Sequence, residues 1–401
     1  MVNVIGLGYI GLPTALMLAS HGVEVVGTDY NADLVARLNA GKTTFREEGL
    51  DDMFAKAVEA GIHFTTQYQA TDTYIVSVPT PYDHFSKQID ASYVVGAVRS
   101  VLGVCPHGAT LIIGTIDRHV RPLLAEYGFG APGTIHLVHA PERILPGNMV
   151  YELVHNNRTI GADDPQAGQA VRRLYASFCQ GDIVVTDIRT AEMTKVVENT
   201  FRAVNIAFSN ELMRLCRHAG MDVYEIIRIC NMHPRVNIMT PGPGVGGHCI
   251  PVDPWFLVGD YPQLTRMIGA SLEVNASQPD YVLGRISEIM SQRGLTDSSR
   301  VGIYGLTYKE NVDDCRESPA LQLLASQHRH LGTPLKCYDP YLADRHVADN
   351  QYADFDAFVD AVDMVVVMVK HDHIRDRWDR LSGKIVLDCH HVCPLPNTYL
   401  L

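Results

Sequence analysis

The hydrophobic and polar positions divide the chain into three regions. Up to about residue 188, short apolar runs such as VNVIGLG, VEVVGTD, TYIVSVP, TLIIGT and IHLVHAP alternate with polar or amphipathic stretches. Such alternation is typical of a mostly parallel sheet with helices packed on both faces. We therefore expect residues 1–188 to form a doubly wound α/β domain of the Rossmann type.

The second region is dominated by one long helical pattern. Between Arg189 and about Gly220, apolar residues recur at spacings of three and four, at Met193, Val197, Phe201, Val204, Phe208, Leu212, Leu215 and Ala219. This spacing predicts a helix of about 45 Å, because each residue adds about 1.5 Å. A helix of this length is expected to span domains or to form a subunit interface. Further helical stretches continue to about Arg293, so residues 189–295 are interpreted as a central helical domain.

The α/β alternation resumes at Arg300 with RVGIYGL, LKCYDP, MVVVMVKH and KIVLDCH. This region begins as the chain does, with a strand, a glycine turn, a helix and a strand ending in aspartate, Asp29 in the first copy and Asp339 in the second. Residues 296–401 are therefore expected to form a second Rossmann-like domain. The predicted fold class is α/β, with two doubly wound domains joined by a central helical region. Two such domains predict two nucleotide-like ligands that meet between them.

Composition narrows the possible partners and compartment. The chain has 401 residues, of which 46% are hydrophobic and 19% charged, as expected for a globular protein of two or three domains. Its formal net charge of -12 argues against nonspecific nucleic-acid binding. Nine cysteines without tight spacing favour a reducing compartment, and no uninterrupted apolar run suggests a membrane span. We expect a cytoplasmic protein without nucleic-acid or membrane partners.

The first candidate ligand site is the GLGYIG stretch, a GxGxxG pattern at Gly6, Gly8 and Gly11. It follows a predicted strand and opens a helix, and Asp29 comes 23 residues after Gly6, where an acid can bind a ribose 2'-hydroxyl. Asp29 would repel a 2'-phosphate, which favours NAD over NADP. The alternative is a glycine turn that serves packing only.

The second candidate is Cys249, within PGPGVGGHCIPVDPWF at residues 241–256. Glycine and proline disfavour helix and strand here, so this stretch is predicted to be a loop. The flanking glycines are expected to give a substrate access to the thiol, with Asp253 four residues on. His248 is a candidate base for this thiol, but it is adjacent to Cys249 in the sequence, so its side chain can point elsewhere. The alternative is a buried structural cysteine.

Three further charged or polar residues are candidates for chemistry. Lys195 and Asn199 lie four apart on the long helix and share a face, where both could donate to an oxyanion. Spacing alone is also compatible with ordinary surface residues. Glu142 follows a strand of the first domain, at the edge where ligands bind such sheets, so an acid/base role is open to it.

The second copy of the glycine turn reads GLTYKENVDDCRES and lacks two glycines of the dinucleotide fingerprint. Lys309 and Arg316 could hold the phosphates or the acidic product of a mononucleotide-linked ligand. The alternative is a solvated helix start with Asp313 and Asp314 near its positive end. The CHHVC stretch at 389–393 matches no standard zinc spacing, so no metal site is expected.

Five blocks together resemble the UDP-glucose/GDP-mannose dehydrogenase family. They are GLGYIGLP, PERILPGN, RTAEMTKVVENTFRAVNIAFSNEL, GVGGHCIPVDP and GLTYKENVDDCRESPA, in the order in which the family has them. The resemblance implies oxidation of a UDP-sugar at C6 by two NAD, giving a uronate. NMHPRVNI followed by PGPGVGGHCI is most similar to members acting on UDP-N-acetylmannosamine, with UDP-N-acetylglucosamine and UDP-glucose as alternatives.

The resemblance also implies roles for individual residues. Cys249 would capture the intermediate aldehyde and carry a thioester, and Lys195 and Asn199 would stabilise the oxyanions. Glu142 would assist proton transfer during hydrolysis, and Asp253 would order water or Lys195. The cofactor contacts would be Gly6, Gly8, Tyr9, Ile10, Gly11, Asp29, Thr80 and Thr115. The substrate contacts would be Arg143, Leu145, Lys195, Asn199, Arg235, Asn237, Gly246, Lys309 and Arg316.

The resemblance further implies a homodimer in which the long helix forms the core and Arg235 reaches the neighbouring subunit's site. Two stretches depart from the family pattern, GTIDRHVRP at residues 114–122 and DCHHV near the C-terminus. The first keeps open the alternative of a noncatalytic protein that binds a nucleotide sugar.

Overall fold

The structure is a computed structural model, and it describes residues 1–45, 47–81, 90–113, 117–396 and 398–401, except for the side chains at 117 and 118. The chain divides into two compact units, Met1–Val196 and Val197–Leu401. Thr115 lies outside the described residues. No described helix is both long enough and apolar enough to cross a membrane.

The first unit contains an eight-stranded sheet. The strands are β1 Val2–Ile5, β2 Val25–Thr28, β3 His63–Thr65, β4 Thr73–Val76, β5 Ala109–Ile113, β6 Ile135–His139, β7 Arg158–Ala162 and β8 Ile183–Thr186. Their order is β3-β2-β1-β4-β5-β6-β7-β8, and all neighbours are parallel except β6 and β7. The helices are α1 Gly11–Ser20, α2 Ala32–Asn39, α3 Leu50–Glu59, α4 Ser92–Leu102, α5 Asp117–Glu126, α6 Met149–His155 and α7 Pro165–Tyr175.

The apolar runs are continuous because the central strands are buried on both faces. Ile75 of β4 packs in one apolar cluster, whereas its neighbours Tyr74 and Val76 pack in another. Successive side chains of a strand point to opposite faces, so both faces of this sheet are covered. The expected doubly wound architecture is confirmed for this unit.

The long helix α8 spans Ile188–His218, close to the predicted residues 189–220. It ends just before Gly220, whose φ of 70° suits the end of a helix. Four more helices follow, α9 Val223–Cys230, α10 Asp253–Asp260, α11 Arg266–Ala276 and α12 Gln278–Arg293. The compact units divide within α8, and the three domains that we propose would divide the second unit again near residue 295.

The second unit also contains a parallel sheet. Its strands are β9 Val301–Tyr304, β10 Lys336–Tyr338, β11 Gln351–Tyr352, β12 Met364–Val367, β13 Ile385–Asp388 and β14 Tyr399–Leu400, in the order β11-β10-β9-β12-β13-β14. The helices are α13 Pro319–Ser326, α14 Phe355–Asp360 and α15 Asp372–Arg375.

The turn after β9 differs from our expectation. No helix begins directly after Gly305, and residues 306–318 form an irregular segment before α13. In the first unit, Gly11 lets α1 start against Gly6, since a Cβ on Gly11 would lie 1.8 Å from the Gly6 carbonyl oxygen. Glu310 occupies the corresponding place after Gly305, and its side chain excludes the same approach. Asp313 and Asp314 therefore do not mark a helix start.

Candidate active site

The three glycines of the first turn are needed for three different reasons. Gly6 has a φ of 85°, and a Cβ there would lie 2.5 Å from the carbonyl oxygen of Ser77. Gly11 allows the contact between helix and strand. A Cβ on Gly8, by contrast, would meet no atom within 4 Å. Open space at the middle glycine, at the N-terminus of α1, leaves the backbone accessible to a pyrophosphate.

The other cofactor candidates surround this turn. Asp29 directly follows β2, and its carboxylate accepts hydrogen bonds from the backbone N–H groups of Leu7 at 2.8 Å and Asn31 at 2.9 Å. Tyr9 stacks on Phe45 with ring centroids 4.4 Å apart. Ile10 is half-buried. Thr80, four residues after the end of β4, is 8% exposed.

Glu142 lies in a buried ion pair. Its Oε1 accepts a hydrogen bond of 2.6 Å from Arg158, and the two side chains are 8% and 7% exposed. Burial alone would lower the pKa of Arg158, but the charge of Glu142 and this hydrogen bond raise it well above its ordinary value. Arg158 also lies over the ring of Tyr175, 4.6 Å from its centroid. The carboxylate thus has a fixed orientation.

The neighbouring substrate candidates make contacts within the first unit. Arg143 donates to the carbonyl oxygen of Asn157 at 2.7 Å, and the N–H of Leu145 donates to Glu152 at 2.8 Å. The structure therefore assigns both groups protein partners that the sequence did not indicate.

His139, three residues before Glu142, is a buried histidine that the sequence did not single out. It ends β6 and is 4% exposed, and burial together with the charge of Lys195 lowers its pKa to about 3. The sequence feature that could have drawn attention to His139 is its position. It is the last residue of a strand whose carboxyl end lies at the edge of the sheet where ligands bind.

In the second unit, Cys249 is exposed and lies at the end of a loop that hydrogen bonds and packing contacts hold at several points. The first of these contacts are hydrogen bonds from side-chain amides. Asn205 of α8 donates to the carbonyl oxygen of Asn237 at 3.0 Å and accepts from the N–H of Met239 at 2.9 Å. Asn231 bonds both backbone groups of Ile238, at 2.7 and 2.9 Å. These side-chain bonds satisfy backbone groups of an irregular segment that has no neighbouring strand to bind them.

Side-chain amides also hold the backbone of Gly242. Its N–H donates to Asn210 of α8 at 3.0 Å, and its carbonyl oxygen accepts from Gln278 of α12 at 2.6 Å. Both amide side chains are fully buried. The backbone seven residues before Cys249 is thereby clamped between two helices.

The next glycines pack against the segment that follows β9. A Cβ on Gly246 would lie 2.6 Å from the Cβ of Tyr308 and 2.7 Å from the carbonyl oxygen of Glu317. Gly247 has a φ of 86°, and its N–H donates to the carbonyl oxygen of Arg316 at 2.9 Å. Both glycines therefore pack closely against this segment, and our expectation that they give a substrate access to the thiol stays a prediction.

Two further hydrogen bonds hold the turn that follows Cys249. The carbonyl oxygen of Cys249 accepts from the N–H of Asp253 at 2.8 Å, and the Asp253 carboxylate accepts from Asn199 of α8 at 2.7 Å. Asp253 is 3% exposed. Two residues that the resemblance assigned to catalysis are therefore in direct contact, on either side of the exposed thiol in the sequence.

Lys309 and Arg316 lie in the irregular segment 306–318. Asp339 fixes its start by accepting from the N–H groups of Leu306 at 2.6 Å and Thr307 at 3.1 Å, as Asp29 does in the first unit. Thr307 in turn donates to the carbonyl oxygen of Lys309 at 2.8 Å.

Arg316 pairs with Asp314 at 2.6 Å, and Asp314 is 3% exposed. Burial raises the pKa of Tyr308 well above its ordinary value, and the charges of Asp314 and Cys249 raise it further. The Tyr308 phenol therefore stays protonated, and its ring lies against Gly247, two residues before the thiol.

The two remaining substrate candidates, Arg235 and Asn237, are exposed. Within the described ranges, no group of three or more His, Cys, Asp and Glu side chains is arranged to hold a metal ion.

Comparison with known families gives matches along most of the chain. The UDP-glucose/GDP-mannose dehydrogenase family matches through its NAD binding domain at residues 1–179, its central domain at 189–277 and its UDP binding domain at 302–394.

Individual relatives match over nearly their full lengths. The chain is 39% identical to an NDP-N-acetyl-D-galactosaminuronic acid dehydrogenase of Ralstonia nicotianae, covering 96% of this chain and 95% of the relative. It is 37% identical to a UDP-N-acetyl-D-mannosamine dehydrogenase of Methanococcus maripaludis, covering 96% and 92%. A solved structure of a UDP-D-ManNAc dehydrogenase from Pyrococcus horikoshii superimposes with a TM-score of 0.91 at 33% identity, covering 100% and 98%.

Proposed function

Since the chain belongs to the UDP-glucose/GDP-mannose dehydrogenase family and is an NAD-dependent UDP-sugar dehydrogenase, we propose that it oxidises UDP-N-acetyl-D-mannosamine at C6 to the uronate through a cysteine thioester. The relatives from Methanococcus maripaludis and Pyrococcus horikoshii support this substrate.

The exposure of Cys249 is the observation that carries the proposed mechanism. All nine cysteines lie in the described ranges, and Cys249 alone is exposed. An enzyme that oxidises a primary alcohol twice must retain the intermediate aldehyde, and an accessible thiol can do so by forming a covalent bond. The hydrogen bonds and packing contacts of the loop support this role because they hold the thiol in one position.

The overall reaction consumes one alcohol, two NAD and one water, and it yields a carboxylate, two NADH and three protons. NAD, which the glycine turn of the first unit would hold, would supply the hydride acceptor for each oxidation. The Cys249 thiolate adds to the aldehyde carbon to give a thiohemiacetal, which a second oxidation converts to a thioester. Water then displaces the thiol and releases the uronate.

The remaining residues would support these steps. Lys195 and Asn199 would donate to the oxygen that becomes negative, and Asp253 would orient Asn199 through their hydrogen bond. The Glu142 carboxylate would assist proton transfer from water, with Arg158 fixing its orientation. Lys309, Arg316, Asn237 and Gly246 would contact the UDP-sugar.

The decisive experiment compares the wild type with Cys249→Ser. With UDP-N-acetylmannosamine, the wild type should give two NADH per substrate consumed, and the variant should form no uronate while still binding UDP-sugar and NAD. Cys230, which is half-buried, offers the matched control Cys230→Ser, expected to retain activity. Full activity in Cys249→Ser would contradict the thioester mechanism.

A second candidate substrate is UDP-N-acetylgalactosamine, because the relative from Ralstonia nicotianae is an NDP-N-acetyl-D-galactosaminuronic acid dehydrogenase. The assay should therefore compare UDP-N-acetylmannosamine, UDP-N-acetylgalactosamine, UDP-N-acetylglucosamine and UDP-glucose. The proposed substrate is wrong if another UDP-sugar has the highest kcat/KM.

We also propose a homodimer in which Arg235 contacts the neighbouring subunit's substrate. The apolar residues Val197, Phe201, Phe208 and Leu215 of α8 are 48, 64, 56 and 56% exposed. An exposed apolar face of this extent supports burial against a second copy.

A further inference from the structure

Two fully buried residues of the second unit, His371 and Asp339, form a hydrogen-bonded pair. Nε2 of His371 lies 3.2 Å from Oδ2 of Asp339, and both side chains are 0% exposed. Asp339 directly follows β10 and His371 comes shortly after β12, and β9 pairs in parallel with both strands. The carboxyl ends of the three strands therefore meet where the strand order reverses, which is where ligands of such sheets bind.

The neighbours of the His371 imidazole determine which ring nitrogen carries the hydrogen. Nδ1 accepts a hydrogen bond of 2.9 Å from the backbone N–H of Asn311, and a backbone N–H can only donate. Nδ1 therefore presents its lone pair, and the ring hydrogen lies on Nε2. Nε2 is within reach of two acceptors, the Asp339 carboxylate at 3.2 Å and Oγ1 of Thr307 at 3.3 Å.

These contacts hold the backbone on both sides of Lys309. Before it, the hydroxyl group of the fully buried Thr307 donates to the carbonyl oxygen of Lys309 at 2.8 Å. After it, Asn311 donates to the imidazole. A single imidazole thus binds both the hydroxyl group that holds Lys309 and the backbone two residues further on.

Asn311 has a backbone conformation that depends on such support. Its φ of 61° lies in the left-handed region, which few residues other than glycine adopt. Its side chain donates to the carboxylate of Asp372 at 2.7 Å and accepts from the N–H of Asp372 at 3.0 Å. Two consecutive residues, His371 and Asp372, therefore hold the backbone and the side chain of Asn311.

His371 is 0% exposed, so it cannot contact a ligand itself. Lys309, by contrast, is half-buried and lies in the stretch that the imidazole holds. A backbone that is fixed before a ligand arrives loses less conformational entropy on binding, and the ligand binds more tightly. The imidazole can therefore act on a ligand through Lys309.

We propose that His371 is a positioning residue for substrate binding, which holds the backbone around Lys309 in the conformation in which this lysine meets the UDP-sugar. The proposal rests on the proposed function, in which Lys309 contacts the substrate. The stretch lies within residues 302–394, which match the UDP binding domain of the family. A contact that is equally strong in the ground state and the transition state affects KM and leaves kcat unchanged.

Two substitutions separate the two ring nitrogens. His371→Asn can place an amide oxygen near the position of Nδ1 and still accept from Asn311, whereas His371→Gln reaches the position of Nε2 and leaves that N–H without its acceptor. We expect His371→Gln to raise the KM for the UDP-sugar that the wild type oxidises best about tenfold, the effect of one lost hydrogen bond. His371→Asn should raise it less, and kcat should stay close to the wild-type value in both variants.

His373→Gln is the matched control. This histidine lies two residues after His371, and its Nδ1 lies 3.1 Å from the hydroxyl oxygen of Tyr304 in β9, outside the segment 306–318. The substitution should leave the KM for the UDP-sugar unchanged. A rise in KM equal to that in His371→Gln would overturn the proposal.

A double-mutant cycle tests whether His371 acts through Lys309. Lys309→Ala should itself raise the KM, and adding His371→Gln should raise it no further. Additive effects on KM would overturn the proposal, as would equal losses of kcat in His371→Asn and His371→Gln with a lowered Tm, which indicate packing only. If the wild type oxidises no UDP-sugar, the proposed function fails; if it does and His371→Gln has the wild-type KM, only the role of His371 fails.

Discussion

Asn199 donates a hydrogen bond of 2.7 Å to the carboxylate of Asp253, a residue 54 positions later in the sequence. Asn199 lies on α8, and Asp253 begins α10 four residues after Cys249. The bond therefore joins the long helix to the turn that carries the proposed nucleophile. Its partner carboxylate is 3% exposed, so the loss of a donor there is costly.

Asn199→Ala should lower the free energy of unfolding by about 1–3 kcal/mol, because it removes a donor from a buried carboxylate. It should also lower kcat, since the side chain is proposed to stabilise the oxyanion. Urea unfolding and NADH formation measure the two effects. Glu211→Ala, at an exposed position of the same helix, is the control and should change stability by less than about 0.5 kcal/mol. Equal effects of the two variants would contradict this interpretation.

Gly8→Ala and Gly11→Ala should fail in different ways. A methyl group on Gly8 enters open space and should leave stability unchanged, while weakening NAD binding by about tenfold or more by obstructing the pyrophosphate. A methyl group on Gly11 meets the Gly6 carbonyl and should destabilise the first unit by about 3 kcal/mol or more. Calorimetric titration with NAD and urea unfolding distinguish them. Unchanged NAD affinity in Gly8→Ala would argue against our placement of the pyrophosphate.

Gly246→Ala should displace the cysteine loop, because the new Cβ would overlap Tyr308 and the carbonyl of Glu317. We expect a loss of about 1–3 kcal/mol in stability and slower alkylation of Cys249 by iodoacetamide. Gly242→Ala is the matched control, since its Cβ would meet only one ring atom of His390 at 3.9 Å. Alkylation rates that are the same in both variants would show that packing at Gly246 does not position the thiol.

Phe201→Glu combined with Phe208→Glu should convert the proposed dimer to monomers. Both rings are more than half exposed, and burying a carboxylate in an apolar interface is strongly unfavourable. Sedimentation velocity measures the outcome. Val184→Glu, on an exposed residue of β8, serves as the control and should leave the oligomeric state unchanged. A double variant that sediments as the wild type would exclude this face of α8 from the interface.

The protonation of His139 should make stability depend on pH. Its pKa is about 3 in the folded chain and near 6.5 when unfolded. Above pH 6.5 neither state binds the proton, so the full stability is present. Below pH 6.5 only the unfolded state binds it, and the free energy of unfolding should fall by up to about 1.4 kcal/mol per pH unit until pH 3. Urea unfolding between pH 7.5 and 5.5 measures this slope.

His139→Gln removes the titrating group and should show a shallower slope than the wild type. Lys195 and Glu192 are the charged groups beside the imidazole, and both remain in the variant. Identical slopes for the two proteins would mean that His139 is protonated in the folded state.

The sequence by itself determined the features that depend on local periodicity. The three- and four-residue spacing predicted α8, and the alternation of apolar runs predicted two mostly parallel sheets, because burial on both faces demands continuous apolar strands. Gly6, Gly8 and Gly11 predicted the turn with its open backbone because their spacing after a strand is a local pattern, whereas the contact between Gly6 and Ser77 was decided by the tertiary structure. The position of Cys249 in a loop followed from composition in the same way.

Only the tertiary structure decided which distant groups meet. Arg158 pairs with Glu142 because β7 returns antiparallel to β6, and no spacing in the sequence encodes that pairing. Gly246 faces Tyr308, more than sixty residues away, so its packing role could not be distinguished from access for a substrate. The neutral state of His139 depends on burial and on the approach of α8, which are properties of packing. Contacts between distant segments set the electrostatics of a site, and local patterns set the elements that carry it.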